Sequence, residues 1–211
     1  MTKTVTAAQM RYYDQTTINQ IGIPSLVLME RAALAARDEI LAGFPLSQRK
    51  VVIVAGSGNN GGDGLALARL LHIAGVNVAI INVGNPDHAS KEHQTQEHIC
   101  RYYNIPESTD LAELDQATMI VDAIFGIGIN RPVSGNYAKV IEKINHTTAV
   151  KLALDMPSGI NTDTGEVMGC AVKADATVTF AFNKVGLTKD PGRQYAGRIV
   201  LADDMGTYET K

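Results

Sequence analysis

Several hallmarks of other protein classes are missing from this chain of 211 residues. It has no basic excess: 19 Lys and Arg stand against 22 Asp and Glu, a net charge of -3. That balance gives no electrostatic reason to expect nucleic acid as a partner. No apolar run approaches the about 18 residues of a membrane span, so no membrane association is expected. Residues 1–6 carry no apolar h-region, and a cytoplasmic location is the expectation. Only two cysteines occur, Cys100 and Cys170, in neither a C-x-x-C nor a zinc pattern. They read as buried free thiols in a reducing compartment. Repeats, low-complexity stretches and Pro/Ser-rich linkers are absent too. Hydrophobic residues make up 45% and charged residues 19%, the profile of one globular domain with a sizeable core.

What is there alternates. Two helical patterns open the chain, one over residues 6–20, with Thr6 and Gln9 as a possible capping box, and one from Pro24-Ser25 onward. In the second, Leu26, Met29, Ala33, Ala36 and Ile40 fall at helical spacing. Apolar, strand-like runs follow at residues 51–55, 76–83, 119–123, 151–154, 176–180 and 198–201. Helical stretches separate them at 64–74, 90–103, 110–115 and 134–145. Strands of nearly unbroken Val, Ile, Leu and Ala are buried on both faces, which implies a parallel sheet covered by helices. The expected fold is α/β: a three-layer, Rossmann-like, doubly wound, mostly parallel sheet with an N-terminal helical extension. Residues 1–45 would form the extension, 46–206 the core and 207–211 a tail.

In such sheets ligands bind at the carboxyl ends of the strands, where strand order reverses. Four strand ends here are polar and glycine-rich: residues 56–64, 122–128, 155–159 and 182–186. All four are expected on one edge. The first contains Gly56, Gly58 and Gly61 as a G-x-G-x-x-G, in which glycines turn the backbone and a helix N-terminus faces the ligand. No Gly-Lys-Ser/Thr follows, which excludes a Walker A loop. The acid expected about 20 residues on for a ribose hydroxyl is missing as well, since the second strand ends Ile80-Ile81-Asn82-Val83. Asn59, Asn60 and Asp63 instead offer amides and a carboxylate for a polar ligand or hard cation, or for local turn hydrogen bonds.

Asp122 closes an apolar strand, so its carboxylate must be hydrogen-bonded, paired or coordinating a cation. Residues 126–132 supply a second loop, whose Arg131 reads as a phosphate partner or a solvated surface group. Asp155, held on the rigid turn Met156-Pro157-Ser158-Gly159, suits general acid/base work. His88, His93 and His98 lie five apart, which separates their rings around a helix, so they are not read as a metal cluster. Lys91, Glu92, Glu97 and Arg101 suggest a solvated face for that helix.

Together, Asn59-Asn60-Gly61-Gly62-Asp63-Gly64, Asp122-Ala123-Ile124-Phe125-Gly126, Asp155-Met156-Pro157-Ser158-Gly159 and residues 174–180 resemble the YjeF N-terminal domain family. Residues 22–32 are similar to it as well. The family's best-known members are NAD(P)H-hydrate epimerases, isomerases that interconvert the R and S epimers of C6-hydrated NADH and NADPH. The resemblance implies that Asn59, Asn60, Gly61, Gly62 and Asp63, with Gly126, Ile127, Gly128, Ile129, Asn130, Arg131 and Pro132, contact the hydrated dinucleotide. It implies that Asp155 contacts the reactive end, and that Asn60, Asp122 and Ser158 hold a potassium ion. Ile127 replaces a usual Thr, and Asn183 a frequent Pro before Lys184. A stand-alone form served by a separate dehydratase follows, and a homodimer through the extension, where Leu26, Val27, Leu28 and Met29 are apolar. A non-catalytic nucleotide- or ADP-ribose-binding module is the alternative of another class.

Overall fold

A computed structural model describes residues 3–43 and 50–206. The expected boundary near residue 45 and the tail 207–211 lie outside the described residues. The chain begins with a short strand, β1 (Thr4–Val5), followed by helix α1 (Ala7–Thr16). The capping box at its start is present: Thr6 Oγ1 accepts from Gln9 N at 3.2 Å, and Gln9 Oε1 accepts from Thr6 N at 2.9 Å. A π-helical turn over Thr17–Ile21 replaces the expected end of that helix, and Gly22, at φ 88°, terminates it in the left-handed conformation. Helix α2 (Ser25–Gly43) follows.

The core alternates as its apolar runs dictate. In chain order come β2 (Lys50–Ala55), α3 (Asn59–Ile73), β3 (Asn77–Asn82), α4 (Lys91–Tyr102), β4 (Glu107–Ser108) and β5 (Met119–Ala123). These are followed by α5 (Gly135–His146), β6 (Val150–Leu154), β7 (Ala176–Phe180), β8 (Asn183–Lys184), α6 (Gly192–Ala196) and β9 (Arg198–Ala202). Seven strands form one sheet in the order β4-β3-β2-β5-β6-β7-β9, and every neighbouring pair is parallel. Strand order runs outward in both directions from the β2/β5 pair, so the topological switch point lies between these two strands.

Residues alternate between the sheet's two faces with a period of two. On β2, Val51, Ile53 and Ala55 join the core that includes Met29, Ala33, Ile40 and Leu65, whereas Val52 and Val54 join Val140, Ile141 and Ile144 of α5. The β2 side chains from Val51 to Ala55 are wholly buried. Each large one contributes about 1.5–3 kcal/mol of transfer free energy, and the buried polar residues of the interior strands, Asp122 on β5 and Thr177 and Thr179 on β7, are hydrogen-bonded.

The structure departs from the sequence reading in four further places. The extension is not purely helical, because β1 pairs in parallel with β8, matching Thr4 with Asn183 and Val5 with Lys184. Residues 110–115 form part of a 3-10 turn (Leu111–Gln116) rather than an α-helix. Helix α3 starts at Asn59, not at residue 64, so most of the glycine segment is helix rather than loop. Cys100 is buried, and burial pushes its thiol up to about 12; Cys170 is only partly buried.

Candidate active site

Four of the glycines of residues 56–64, Gly56, Gly61, Gly62 and Gly64, are packing residues, and Gly58 is the N-cap of α3. None of the five has a left-handed φ. A Cβ on Gly61 would lie 1.7 Å from the Gly56 carbonyl oxygen, and one on Gly64 would lie 2.5 Å from Ala123 Cβ. A Cβ on Gly56 would fall 2.2 Å from the Ile124 carbonyl oxygen. These absences let α3 sit directly on the ends of β2 and β5. Its N-terminus, with Gly58 as N-cap, therefore opens onto the switch point, where first-turn N–H groups have no intrahelical partner.

A cleft of about 1090 Å³ lies along this edge. Asn59, Asn60, Asp63, Asp155 and every residue of 126–132 line it, and with Lys184 all four sequence-predicted strand ends meet there. Gly61 and Gly62 do not line it; they face Gly56 and the Met29 side chain instead. The fourth strand end contributes through Lys184, which the sequence motifs did not mark as a site residue. The N-terminal segment contributes more than its sequence suggested: Met10, Arg11, Asp14, Gln15 and Ile18 form a wall. Arg11 Nη2 reaches across to donate to the Ile127 carbonyl at 3.3 Å, tying α1 to the loop after β5. Arg131 is exposed on that same loop.

Asp155 sits at the carboxyl end of β6 with φ 66°, a left-handed conformation that costs a non-glycine residue of order 1 kcal/mol or more. Its N–H donates to the Val178 carbonyl at 2.7 Å, which pins that backbone in place. Its Oδ1 pairs with Lys184 Nζ at 2.5 Å. Its Oδ2 lies 3.0 Å from where a Cβ on Gly126 would be, and Asn60 Cγ lies 3.4 Å from that same point, so the missing side chain keeps that oxygen uncovered. Asp63 stands on the facing helix. Burial, with the negative Asp155 and Asp14 nearby, raises its carboxyl well above the usual carboxylate range, and Lys184 opposes the rise. Two carboxyl groups in different electrostatic settings thus share one cleft.

Behind them lies a third carboxylate. Asp122 is fully buried. Its Oδ1 accepts from Ser158 Oγ at 2.6 Å and from Ile124 N at 3.2 Å, and its Oδ2 accepts from Ser158 N at 2.8 Å. Ser158 Oγ in turn accepts from Phe125 N at 2.9 Å. Burial pushes Asp122 up to about 6 against the pull of these hydrogen bonds. Among the described residues no Lys or Arg is ion-paired with it. Asn60 is nearly buried, yet neither its Oδ1 nor its Nδ2 has a partner.

The three histidines do not converge. His88 and His98 are exposed, while His93 packs its backbone beside Gly62, and burial lowers its proton affinity. The expected solvated face of α4 is therefore one side only: His93, Gln96 and Cys100 turn inward.

Fold and cleft define a doubly wound α/β protein with a large, polar-lined cleft at its switch point. The model of the family described as YjeF-related protein N-terminus matches residues 25–186, and the chain belongs to that family. It is 70% identical over 98% of its length to a Limosilactobacillus reuteri protein named NAD(P)H-hydrate epimerase, of which 97% is covered. It is 66% identical to a protein of the same name from Limosilactobacillus fermentum, covering 97% of this chain and 98% of that one. The fold is that of the crystal structure of yeast ynu0, with a TM-score of 0.82 at 24% identity over 94% of this chain and 87% of that one. Among the described residues no helix is long and apolar enough to cross a membrane.

Proposed function

We propose that the chain is an NAD(P)H-hydrate epimerase, an isomerase interconverting the R and S epimers of C6-hydrated NADH and NADPH. The observation that carries this reading is Asp155, fixed at a strand end with one carboxylate oxygen engaged and the other open to the cleft. Epimerisation at a carbinolamine carbon needs reversible loss of the C6 configuration. In one route a proton reaches the C6 hydroxyl, water leaves, and the resulting iminium takes up water on either face. In the other the hydroxyl proton is removed as the C6–N bond breaks, giving an aldehyde that recloses on either face. Asp155 moves the proton in both. The first turn of α3 and the loop 126–132 hold the phosphates, with Arg131 and Arg11 as the cationic groups on the cleft wall.

The proposal includes potassium, and the residues fit it. Asn60 Oδ1 is an orphaned buried acceptor, and Asp122 is a buried carboxylate without a cationic partner among the described residues. With Ser158 Oγ they make a set of hard oxygen donors. When bound, the ion supplies positive charge behind the phosphate-facing loops. Asp122 and Ser158 meanwhile brace the 124–126 turn by their own hydrogen bonds. Asn60→Ala is the cleaner probe of the ion, because Asp122 carries three hydrogen bonds of the fold and Asn60 carries none.

The test mixes the protein with R-enriched hydrated NADH and a separate dehydratase that acts only on the S form, the pathway partner in this reading. Recovery of NADH absorbance should accelerate in potassium buffer, and Asn60→Ala should blunt the potassium requirement. No acceleration would leave a non-catalytic ADP-ribose-binding module as the better reading; equal rates in sodium-only buffer would remove the ion. A cytoplasmic homodimer completes the proposal. Ile21, Leu26 and Val27 are exposed on the N-terminal helices, whereas Met29 is buried inside the protomer. Sedimentation at micromolar concentration should give twice the 22.6 kDa chain mass, and a monomer mass would refute the dimer.

A further inference from the structure

Lys184 is the largest fully buried side chain among the described residues. A buried ammonium is costly unless every N–H finds an acceptor. Here three acceptors serve its three donors: Asp155 Oδ1 at 2.5 Å, Thr179 Oγ1 at 3.0 Å and the Phe180 carbonyl at 2.7 Å. Such a pair adds little to stability compared with well-packed apolar residues, so stability alone does not account for a lysine at this point.

Its seat is elaborate for a two-residue strand. Val5, wholly buried, pairs with Lys184 in the β1–β8 ladder, and the Tyr13 ring packs on Phe182 at 5.3 Å between centroids. Ala7 N donates to Asp163 Oδ1 at 2.6 Å, anchoring the N-terminal segment to the stretch that follows the Asp155 turn. The consequence is geometric. Lys184 occupies Oδ1 of Asp155, and Oδ2 is the oxygen beneath Gly126 at the cleft.

We propose that Lys184 is a positioning residue of the reaction, its ammonium holding Asp155 Oδ1 so that Oδ2 alone meets the substrate. This rests on the epimerase reading. Asp155 has a left-handed backbone and shares its cleft with two other carboxylates, Asp63 from the facing α3 and Asp14 from α1. Without the ammonium, its carboxylate is free to rotate away from the direction that the chemistry needs. With it, the acceptor direction is set before substrate arrives.

The experiment compares wild type, Lys184→Met, Lys184→Ala and Thr179→Val in the epimerase assay, with substrate binding measured separately by fluorescence. Lys184→Met should lose about 10- to 100-fold in kcat with KM changed by less than about threefold. Methylammonium or ethylammonium should restore turnover to Lys184→Ala in a saturable way, which a merely structural lysine does not allow. Thr179→Val removes one acceptor while keeping side-chain shape, and should cost about threefold in kcat should the lysine variants fail to fold. Wild-type turnover accompanied by unchanged kcat in Lys184→Met, or by unchanged kcat in Thr179→Val where the lysine variants do not fold, overturns the assignment alone. Loss confined to KM, or no amine rescue of a folded Lys184→Ala, overturns it equally. A wild-type chain that binds hydrated NADH without epimerising it overturns the functional reading, and this assignment with it.

Discussion

Asp155→Asn should lower kcat for epimerisation by about 10²-fold or more while leaving KM within about threefold of wild type. The substitution isolates proton transfer from everything else the residue does. Asparagine keeps the volume and planarity of the side chain, and its Oδ1 still accepts from the Lys184 ammonium, so the β6–β8 junction persists. The backbone also persists, because the N–H to Val178 does not involve the side chain, and asparagine tolerates φ 66° better than most residues. Only the capacity to take and return a proton is lost. The measurement is steady-state kinetics with R- and S-hydrates in turn. Turnover near the wild-type rate would sink the acid/base role, and a change confined to KM would make Asp155 a binding group. Asp63 is the control. It stands on the opposite wall, where burial raises its carboxyl above the usual carboxylate range, and Asp63→Asn keeps a hydrogen-bonding side chain of the same shape there.

Much of this site could be read before any coordinates, for identifiable reasons. The parallel strands are legible because they are buried on both faces: β2 runs Val51 to Ala55 without a polar residue, and β5 is interrupted only by Asp122. A carboxylate in such a strand must be satisfied, and it is, by Ser158 and Ile124. The absence of an acid at the end of β3 separates the site from ordinary dinucleotide proteins, which needs only the register of one strand. Lys184 was not legible. Nothing local distinguishes a lysine that caps a two-residue strand from one on the surface, because its burial is decided by β1, almost the whole chain away. The same holds for Arg11 and Asp14. A helix with mean polar character looks solvated, and only the docking of α1 beside the 126–132 loop turns one of its faces into a cleft wall.

The glycine segment is where composition misled most, and a graded series of substitutions exposes why. Read as a flexible turn, each glycine would be intolerant because of its φ. In the structure what a Cβ would meet varies from nothing at Gly58 to backbone at Gly61, so tolerance should differ sharply along the segment. Gly58→Ala meets nothing within 4 Å and should cost about 1 kcal/mol, chiefly through a poorer N-cap. Gly62→Ala presses on the flexible end of Met29, at 2.5 Å from Cε, which can swing aside. Gly64→Ala meets Ala123 Cβ and Ile53 Cγ2, short side chains on the sheet, and should cost about 1–3 kcal/mol. Gly61→Ala is the extreme. Its Cβ would stand 1.7 Å from the Gly56 oxygen and 2.7 Å from the Gly56 carbon, both backbone, so no rotamer relieves the clash. Helix propensity favours alanine there by about 1 kcal/mol, but α3 must leave the end of β2 to admit the methyl. We expect a loss of about 4 kcal/mol or more and a thermal midpoint lower by about 10 °C. Activity should disappear with it, since the N-terminus of α3 moves away from the cleft. Thermal unfolding of the four variants is the measurement. Equal losses across the series would restore the flexible-turn reading, and a stable, active Gly61→Ala would mean that α3 does not pack on the switch point as described.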